Sequence, residues 1–322
     1  MAIYTKVSKD ELVEFFSKYN LGKIERYHGI KEGIENTNYF IQTNKNKFIL
    51  TIYEKRVQEK DLPFFMSLMR NLFDANFKSP EPIINKNGSY ITEIVGKKAA
   101  VISFINGSSK KNLTPENCKE VGLETAKMHL ITKNLVAKRK NELSLDSWKE
   151  IYKNVKEACF KIHPQLSKII EKNLIELEKN WPRNLPMGII HADLFPDNIF
   201  FNKNKFNGII DFYFSCNDFY AFEIAVCLNA LCFEGTKENL SFNVTKAKKF
   251  IDGYSKIRKI SDDEKNSLKI LSQGAALRFL LTRVFDYINL KKGAIVKIKD
   301  PIEYLKRLEF HNNVKNYQDY FF

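Results

Sequence analysis

The sequence predicts an α+β protein of two lobes, a small β-rich N-terminal lobe (1–104) and a larger, mainly helical lobe (105–322). Short runs of β-branched and aromatic residues follow one another through the first hundred residues, as is typical of strands. After a polar connector at 104–112, the apolar residues recur at helical spacing. A composition of 44 % hydrophobic and 13 % aromatic residues excludes a disordered chain.

Local signals define the elements of the N-terminal lobe. Ser8-x-x-Glu11 predicts a capping box at the start of a first helix. Asn87-Gly88 predicts a tight turn between two strands, and the apolar segment 62–73 predicts a helix. The predicted strands span 23–30, 37–43, 47–53, 89–94 and 98–105.

Capping signals also define the helices of the second lobe. Thr114 is a cap followed by a proline in the first turn, and Ser261-x-x-Glu264 predicts a second capping box. The predicted helices span 114–131, 146–180, 218–232 and 244–257, then 262–290, and a final short helix begins at 300–301.

The bulk composition argues against several classes of protein. The formal net charge of +14 raises the possibility of a nucleic-acid binder. Its lysines, however, alternate with acidic residues through nearly every segment, which favours a solvated basic surface and no nucleic-acid partner. The longest apolar runs, such as 99–105, are far short of the ~20 residues of a membrane helix. The five cysteines lack C-x-x-C spacing, so we expect reduced, buried thiols in a cytoplasmic protein and no zinc site.

The stretch IIHADLFPDNIFF, residues 189–201, concentrates polar side chains between apolar ends that read as strands. These polar side chains are His191, Asp193, Asp197 and Asn198. So many polar groups between two core strands indicate that a charged ligand binds there.

A hairpin follows this stretch, because a polar turn separates two apolar runs, IFF and FNGIIDFYF. With Asn204 and Lys205 at the turn centre, the numbers of paired residues sum to 409, which places Asn198 opposite Asp211. Directly paired residues lie about 5 Å apart. An amide oxygen and a carboxylate at that distance suit Mg²⁺. We therefore predict Asn198 and Asp211 as metal ligands, and Asp193 as the base or the group that positions the nucleophile.

These residues follow the order of the protein-kinase catalytic segments, H-x-D-x-x-x-x-N and then D-F after a hairpin. Together with the β-rich lobe, this order predicts a protein-kinase-like fold. His191 is expected to hold the loop by hydrogen bonds and is kept as a candidate substrate-binding residue. Asp197 is either a third metal ligand or a turn cap.

The segments HADLFPDN and IIDF resemble the superfamily of aminoglycoside phosphotransferases and choline kinases. Over nearly its full length the chain resembles the bacterial homoserine kinases of that superfamily, on FILTIYEKR, CLNALCFE and ALRFLLTR above all. The other matching segments are GIENTNYF, DLPFF, GIIDFYF and KDPIEYL. The resemblance implies transfer of the γ-phosphate of ATP to the hydroxyl of L-homoserine, a step in threonine synthesis, with Mg²⁺.

The chain has no G-x-x-x-x-G-K-[ST] motif, so a P-loop is excluded. The turn at 29–38 is the candidate cover for the ATP phosphates, since glycines there let backbone N–H groups approach them. We predict that Gly33, Asn36 and Asn38 contact the nucleotide.

One departure concerns the lysine that kinases carry on their third strand, paired with a glutamate of the next helix. Thr51 stands where this lysine is expected, and the predicted helix 62–73 has no glutamate. We expect Arg56 to supply the missing charge, with Lys55 and Lys31 as alternatives.

The carboxylate of the acceptor that the resemblance implies favours an arginine, because the planar guanidinium matches it bidentately. Arg278 and Arg283 lie in an apolar helical segment, and either is a candidate clamp or a member of a structural ion pair. Asp218 or Glu223 is a candidate for the ammonium group or for holding an arginine.

Two alternatives remain beside the nucleic-acid binder. One is a kinase for another small alcohol, such as choline or an aminoglycoside, although a polycationic acceptor fits a basic chain poorly. The other is a non-catalytic nucleotide-binding protein, suggested by the missing lysine. The presence of Asp193, Asn198 and Asp211 together argues against it.

Overall fold

The computed structural model describes residues 4–30, 36–54, 57–289 and 299–321. The predicted nucleotide residues Gly33 and Arg56, and the alternatives Lys31 and Lys55, lie outside them. The chain forms two compact units: unit 1 comprises Met1–Gly107, Leu135–Ala137 and Asn207–Tyr213, and unit 2 comprises Ser108–Asn134, Lys138–Phe206 and Phe214–Phe322. The predicted α+β class, with a β-sheet region followed by helices, is confirmed. The predicted division at 104/105 stays a prediction.

Unit 1 is built on a five-stranded antiparallel sheet with the strand order β1-β2-β3-β5-β4. Its elements are α1 (Lys9–Ser17), β1 (Ile24–Ile30), β2 (Thr37–Thr43), β3 (Lys47–Ile52), α2 (Leu62–Asp74), β4 (Ile91–Ile94) and β5 (Lys97–Ser103). Alternate residues of β3, Phe48, Leu50 and Ile52, join Phe15 and Phe16 of α1 in one core cluster. Since side chains alternate along a strand, Thr51 faces the other side of the sheet.

Helix α1 begins as predicted, since the Ser8 and Glu11 side chains cap each other's backbone N–H groups. The turn at Asn87-Gly88 forms, with the Gly88 N–H donating to the Asn85 carbonyl at 3.0 Å. It precedes β4 and joins no strand pair, so that part of the prediction was wrong. Val95 and Gly96, both at positive φ, make the turn between β4 and β5.

Unit 2 is mainly helical and contains short strands between its helices. Its elements are β6 (Ser108–Ser109), α3 (Pro115–Ile131), α4 (Leu145–Val155), α5 (Leu166–Asn180), β7 (Met187–Ile190), β8 (Ile199–Asn202), β9 (Lys205–Ile209, which continues into unit 1), β10 (Cys216–Phe219), α6 (Tyr220–Leu231), β11 (Phe233–Glu234), β12 (Ser241–Phe242), α7 (Val244–Ser255), α8 (Asp262–Ile288) and α9 (Pro301–Asn313). Every residue of α6 is buried, as expected of a helix that is apolar all round.

Two predicted helices are shorter than expected. The segment 146–180 divides into α4, a 3-10 turn and α5, because Pro164 cannot continue a helix and disfavours helical backbone before it. The segment 218–232 begins as a strand, because Asp218 and Phe219 pair with β7, and the helix begins at Tyr220.

Helices α3 and α7 approach each other closely at two glycines. A Cβ atom on Gly122 would lie 2.1 Å from the carbonyl oxygen of Phe250, and one on Gly253 would lie 2.0 Å from that of Lys119. No larger residue fits either position without moving a helix backbone. The close approach of the two helix backbones at these glycines packs α3 against α7 within unit 2.

The five cysteines (Cys118, Cys159, Cys216, Cys227 and Cys232) are all buried and unpaired, as predicted, and all belong to unit 2. Among the described residues, no helix combines the length and the apolar character needed to cross a bilayer.

Candidate active site

The polar loop predicted from the sequence joins β7 to β8 in unit 2, and its backbone is held by Glu223 in the first turn of α6. The Glu223 carboxylate accepts hydrogen bonds from the N–H groups of His191 and Ala192, the latter at 3.1 Å. Ala192 has a φ of 64°, a conformation that residues other than glycine rarely adopt. Burial raises the pKa of Glu223 to about 7, against the lowering effect of these two N–H donors.

Asp193 is half-buried at the entrance of this loop and is oriented by Asn198. The side-chain amide of Asn198 donates to the Asp193 backbone carbonyl at 2.8 Å and to its carboxylate at 3.2 Å. Because the NH₂ group of Asn198 points to Asp193, its amide oxygen is directed away and is available to a cation. Burial raises the pKa of Asp193, and the positive charges of Arg278 and Lys299 act in the opposite direction.

His191 is fully buried, and its Nδ1 accepts a hydrogen bond from the N–H of Asp193 at 3.3 Å. This contact fits the loop-holding role predicted for it. Its role as a substrate-binding residue stays a prediction.

Arg278 lies on α8 and fixes the same loop from the carbonyl side. Its guanidinium donates to the carbonyl oxygen of Ala192 and lies 4.6 Å from the ring of Phe279. Only 2 % of Arg278 is exposed, and within the described parts of the chain its Nε has no hydrogen-bond partner. The positive charge of Arg278 acts on the predicted catalytic carboxylate and favours its ionised form.

Arg283 is engaged in the contact between α8 and α9. Its guanidinium donates to the Asp300 carbonyl at 2.9 Å and to the Glu303 carboxylate at 2.8 Å, and it lies 4.4 Å from the ring of Tyr304. These contacts match the structural ion pair that the sequence left open. Its alternative role as a substrate clamp stays a prediction.

Asp218, on β10, receives neutral donors on both carboxylate oxygens. Asn141 donates to one oxygen at 2.7 Å, and the backbone N–H of Phe219 donates to the other, also at 2.7 Å. Burial raises the pKa of Asp218. Sequence reasoning missed Asn141, because nothing in its segment shows that it lies beside a residue 77 positions away.

A second cation, Lys299, lies beside the loop and was not predicted. Its Nζ is 3.4 Å from the exposed carboxylate of Asp197 and 5.0 Å from the ring centre of Phe195. Asp197 is therefore paired in a way that neither of its predicted roles included. The segment KDPIEYL contains Lys299, but a lysine before a helix cap carries no sequence signal of its own.

The turn of the hairpin differs from the prediction. Lys203 and Asn204, both at positive φ, form a two-residue turn between β8 and β9. This turn gives paired numbers that sum to 407, so the predicted sum of 409, and with it the direct pairing of Asn198 with Asp211, was wrong.

Asp211 belongs to unit 1 and has a φ of 64°. Asn198 belongs to unit 2, and their joint role as metal ligands stays a prediction. In the described part of the chain, no three His, Cys, Asp or Glu residues cluster as a metal site. An amide and a carboxylate with phosphate oxygens would suit a hard cation without such a cluster.

The two described nucleotide candidates are already held within unit 1. The side-chain oxygen of Asn36 accepts from the backbone N–H of Glu54 at 3.3 Å. The side-chain oxygen of Asn38 accepts from the hydroxyl of Thr51 at 2.9 Å. Thr51, at the position of the missing lysine, therefore donates a hydrogen bond to Asn38, a residue predicted to contact the nucleotide.

Comparison with known proteins identifies the family. The model of the phosphotransferase enzyme family matches residues 26–258. The chain belongs to this family. The homoserine kinase of Xanthobacter autotrophicus is 46 % identical over 320 residues, which cover 99 % of each chain. The homoserine kinase of Bradyrhizobium diazoefficiens is 44 % identical over 321 residues, 99 % of this chain and 97 % of that one. The predicted superfamily is confirmed.

Solved phosphotransferase structures share the fold at low sequence identity. An amicoumacin kinase in complex with AMP-PNP and Ca²⁺ superposes with a TM-score of 0.71 at 14 % identity, covering 97 % of this chain and 95 % of that one. The choline kinase of Cryptosporidium parvum gives a TM-score of 0.66 at 15 % identity, covering 95 % and 94 %. The predicted kinase-like fold is thereby confirmed.

Proposed function

We propose that this phosphotransferase is a homoserine kinase, which transfers the γ-phosphoryl group of ATP to the hydroxyl of L-homoserine and forms O-phospho-L-homoserine, an intermediate of threonine biosynthesis. The observation that supports this most strongly is 42–46 % identity to homoserine kinases over nearly the full length of both chains. The buried, unpaired cysteines agree with a reducing compartment, and we place the enzyme in the cytoplasm.

In the proposed reaction, the hydroxyl oxygen of homoserine bonds to the γ-phosphorus while the bond from that phosphorus to the β–γ bridging oxygen breaks, and ADP leaves. Asp193 accepts a hydrogen bond from the hydroxyl and takes up its proton as the new bond forms. Because such transition states are loose, orientation of the hydroxyl should contribute more than base strength. The contacts of Asn198 with Asp193 serve this orientation.

Asn198 and Asp211 are the proposed ligands of Mg²⁺. The amide oxygen of Asn198, directed away from Asp193, is the kind of donor that this cation prefers. Bound there, Mg²⁺ would neutralise charge on the transferring phosphoryl group. Gly33, Asn36, Asn38 and Arg56 are the proposed nucleotide contacts.

Arg278 is the better-supported clamp for the homoserine carboxylate, because it lies beside Asp193 and has a free Nε, whereas Arg283 is occupied by Glu303. Asp218 is the proposed partner of the ammonium group. Its two neutral donors leave a negative charge that a cation would stabilise.

The test is ADP release with ATP and Mg²⁺, measured with L-homoserine, L-threonine, L-serine, choline and kanamycin as acceptors. We expect homoserine alone to support turnover, and Asp193→Asn to lower kcat by about 10²–10⁴-fold, the usual contribution of a general base. Asp252→Asn, an exposed aspartate on α7, is the matched control and should retain wild-type kcat. Turnover of another alcohol in preference to homoserine would replace the proposed acceptor.

A further inference from the structure

We propose that a chain of hydroxyl groups centred on Tyr213 positions Asn38 and Asp211 for the nucleotide, in place of the lysine–glutamate pair that other kinases use. The proposal rests on the proposed kinase function, and it concerns how unit 1 holds ATP. Tyr213 is two residues after Asp211 in a 3-10 turn, Phe212–Phe214.

Four side chains form the chain of hydrogen bonds, and all belong to unit 1. The Tyr53 hydroxyl donates to the Tyr213 hydroxyl at 3.3 Å. The hydroxyl of Tyr213 also interacts with that of Thr51, which acts on the pKa of the tyrosine. The Thr51 hydroxyl donates to the side-chain oxygen of Asn38 at 2.9 Å.

The ring of Tyr213 packs against the two elements from which other kinases draw their ion pair. It meets Tyr53, directly after β3, edge-on at 5.3 Å, and Phe65 of α2 edge-on at 5.5 Å. Kinases place the lysine on the third strand and the glutamate on the following helix. Here the same strand and helix are joined to the Asp211 segment by an aromatic side chain and neutral hydroxyls.

This arrangement determines what Asn38 presents to a ligand. Because its oxygen accepts from Thr51, its NH₂ group is directed elsewhere, and within the described ranges that group donates to no other residue. A half-buried, oriented amide donor suits a phosphate oxygen. Burial raises the pKa of Tyr213 to about 12, so the tyrosine stays neutral at physiological pH. The chain thus supplies orientation and a donor, and no charge.

The experiment measures the Kd of AMP-PNP with Mg²⁺ by titration calorimetry, together with kcat and the KM values for ATP and homoserine. Tyr213→Phe keeps the ring contacts and removes the hydroxyl. Thr51→Val removes the next hydroxyl at nearly constant volume. We expect each variant to raise the Kd of AMP-PNP about tenfold. Thr51→Val removes the donor to Asn38, and Tyr213→Phe removes the hydroxyl that orients Thr51. The KM for homoserine should change less than twofold.

Tyr39→Phe is the matched control. Its hydroxyl accepts from the Val7 N–H and donates to the Thr5 carbonyl, both at 3.0 Å, and its ring joins the core on the other face of the sheet. This variant should melt earlier than wild type with an unchanged Kd for AMP-PNP.

A Kd within twofold of wild type in both Tyr213→Phe and Thr51→Val would overturn the proposal, as would an equal loss of affinity in Tyr39→Phe. If Tyr213→Phe fails to fold, Thr51→Val decides. If wild type binds AMP-PNP more tightly than the variants yet phosphorylates no homoserine, the acceptor assignment fails and the positioning role stands.

Discussion

At the scale of single residues, the backbone N–H and the backbone carbonyl of Ala192 are hydrogen-bonded to side chains of opposite charge. Its N–H donates to Glu223, and its carbonyl accepts from Arg278. A left-handed backbone costs a residue other than glycine about 1–2 kcal/mol, so these charged hydrogen bonds offset a real strain. Because Asp193 follows directly, the pair also determines where the proposed catalytic carboxylate points.

Glu223 gives the protein a pH-dependent stability. Burial raises its pKa from 4.5 to about 7, so the folded chain binds this proton more tightly than the unfolded chain does. Its contribution to stability is therefore complete below pH 4.5 and is lost as the pH rises through 7. We expect the free energy of unfolding of wild type to fall, over this window, by on the order of 3 kcal/mol more than that of Glu223→Gln.

Urea unfolding at pH 5, 6, 7 and 8 measures this difference. Glu150→Gln, which removes a largely exposed carboxylate of unit 2, should retain the wild-type pH profile. Parallel profiles for wild type and Glu223→Gln would show that Glu223 is not the group responsible.

At the scale of elements, the helix α8 distributes two arginines to different tasks. Residues five apart lie about 140° apart around a helix axis, so Arg278 and Arg283 occupy different faces. One meets the polar loop, and the other meets α9. If the two arginines were three or four residues apart, both side chains would lie on the same face of α8.

Arg283 should therefore contribute to stability more than to substrate binding. Arg283→Met removes the guanidinium from Glu303 and from the Asp300 carbonyl, and we expect the free energy of unfolding to fall by about 1–3 kcal/mol. The KM for homoserine should change less than threefold. Arg278→Met is the comparison. It should raise the KM for homoserine tens-fold, because the proposed carboxylate clamp is lost, and lower kcat, because the loop before Asp193 loses a support.

Thermal unfolding and homoserine saturation curves test both variants. A rise of tens-fold in the homoserine KM of Arg283→Met would instead identify Arg283 as the carboxylate clamp, since losing a desolvated charge pair costs about 2–5 kcal/mol.

Elements with local signals could be predicted, and those that depend on distant partners could not. The caps at Ser8, Thr114 and Ser261 were found because each bonds to the backbone three residues on. The short strand β10 was missed because it exists only through pairing with β7. The hairpin register was wrong because several polar residues in NKNK compete for the turn, and a shift of one position changes every pair.

The same limit applies to the candidate site. The loop residues stood out because they are polar among apolar neighbours in one short segment. The sequence could not distinguish the roles of Arg278 and Arg283. Both arginines have similar local sequences and differ only in what packs against them. Tyr213 was overlooked for the same reason.

At the scale of the whole molecule, bound nucleotide and metal should be linked to global stability. A ligand at 100 times its Kd adds about 2.7 kcal/mol to the free energy of unfolding. For a chain of 322 residues we expect ADP with Mg²⁺ to raise the Tm by about 3–5 °C. Removing the metal with EDTA should abolish most of that shift and all turnover, and added Mg²⁺ should restore both.

Scanning calorimetry with ADP, with and without EDTA, measures this effect. Asn198→Ala should reduce the metal-dependent part of the shift. The ligand-free variant should melt earlier than wild type, because it loses two hydrogen bonds to Asp193. An equal shift with and without metal would contradict the proposed role of the cation.

The class and family of the whole chain were predictable because they rest on long-range composition and on several matching segments. The sequence could not predict that two short segments belong to unit 1, namely Leu135–Ala137 and Asn207–Tyr213. Short segments join a distant unit only through packing. A continuous boundary near residue 104 is the most that a linear pattern can suggest.

Because of where the cysteines lie, the reaction of their thiols with a labelling reagent can report unfolding of one unit separately from the other. All five thiols are buried in unit 2, and unit 1 has none. A thiol reagent needs an accessible thiolate, and burial both hides these groups and raises the pKa of each. The rate of thiol labelling therefore measures how often unit 2 unfolds locally. Local unfolding confined to unit 1 exposes no thiol and is not detected.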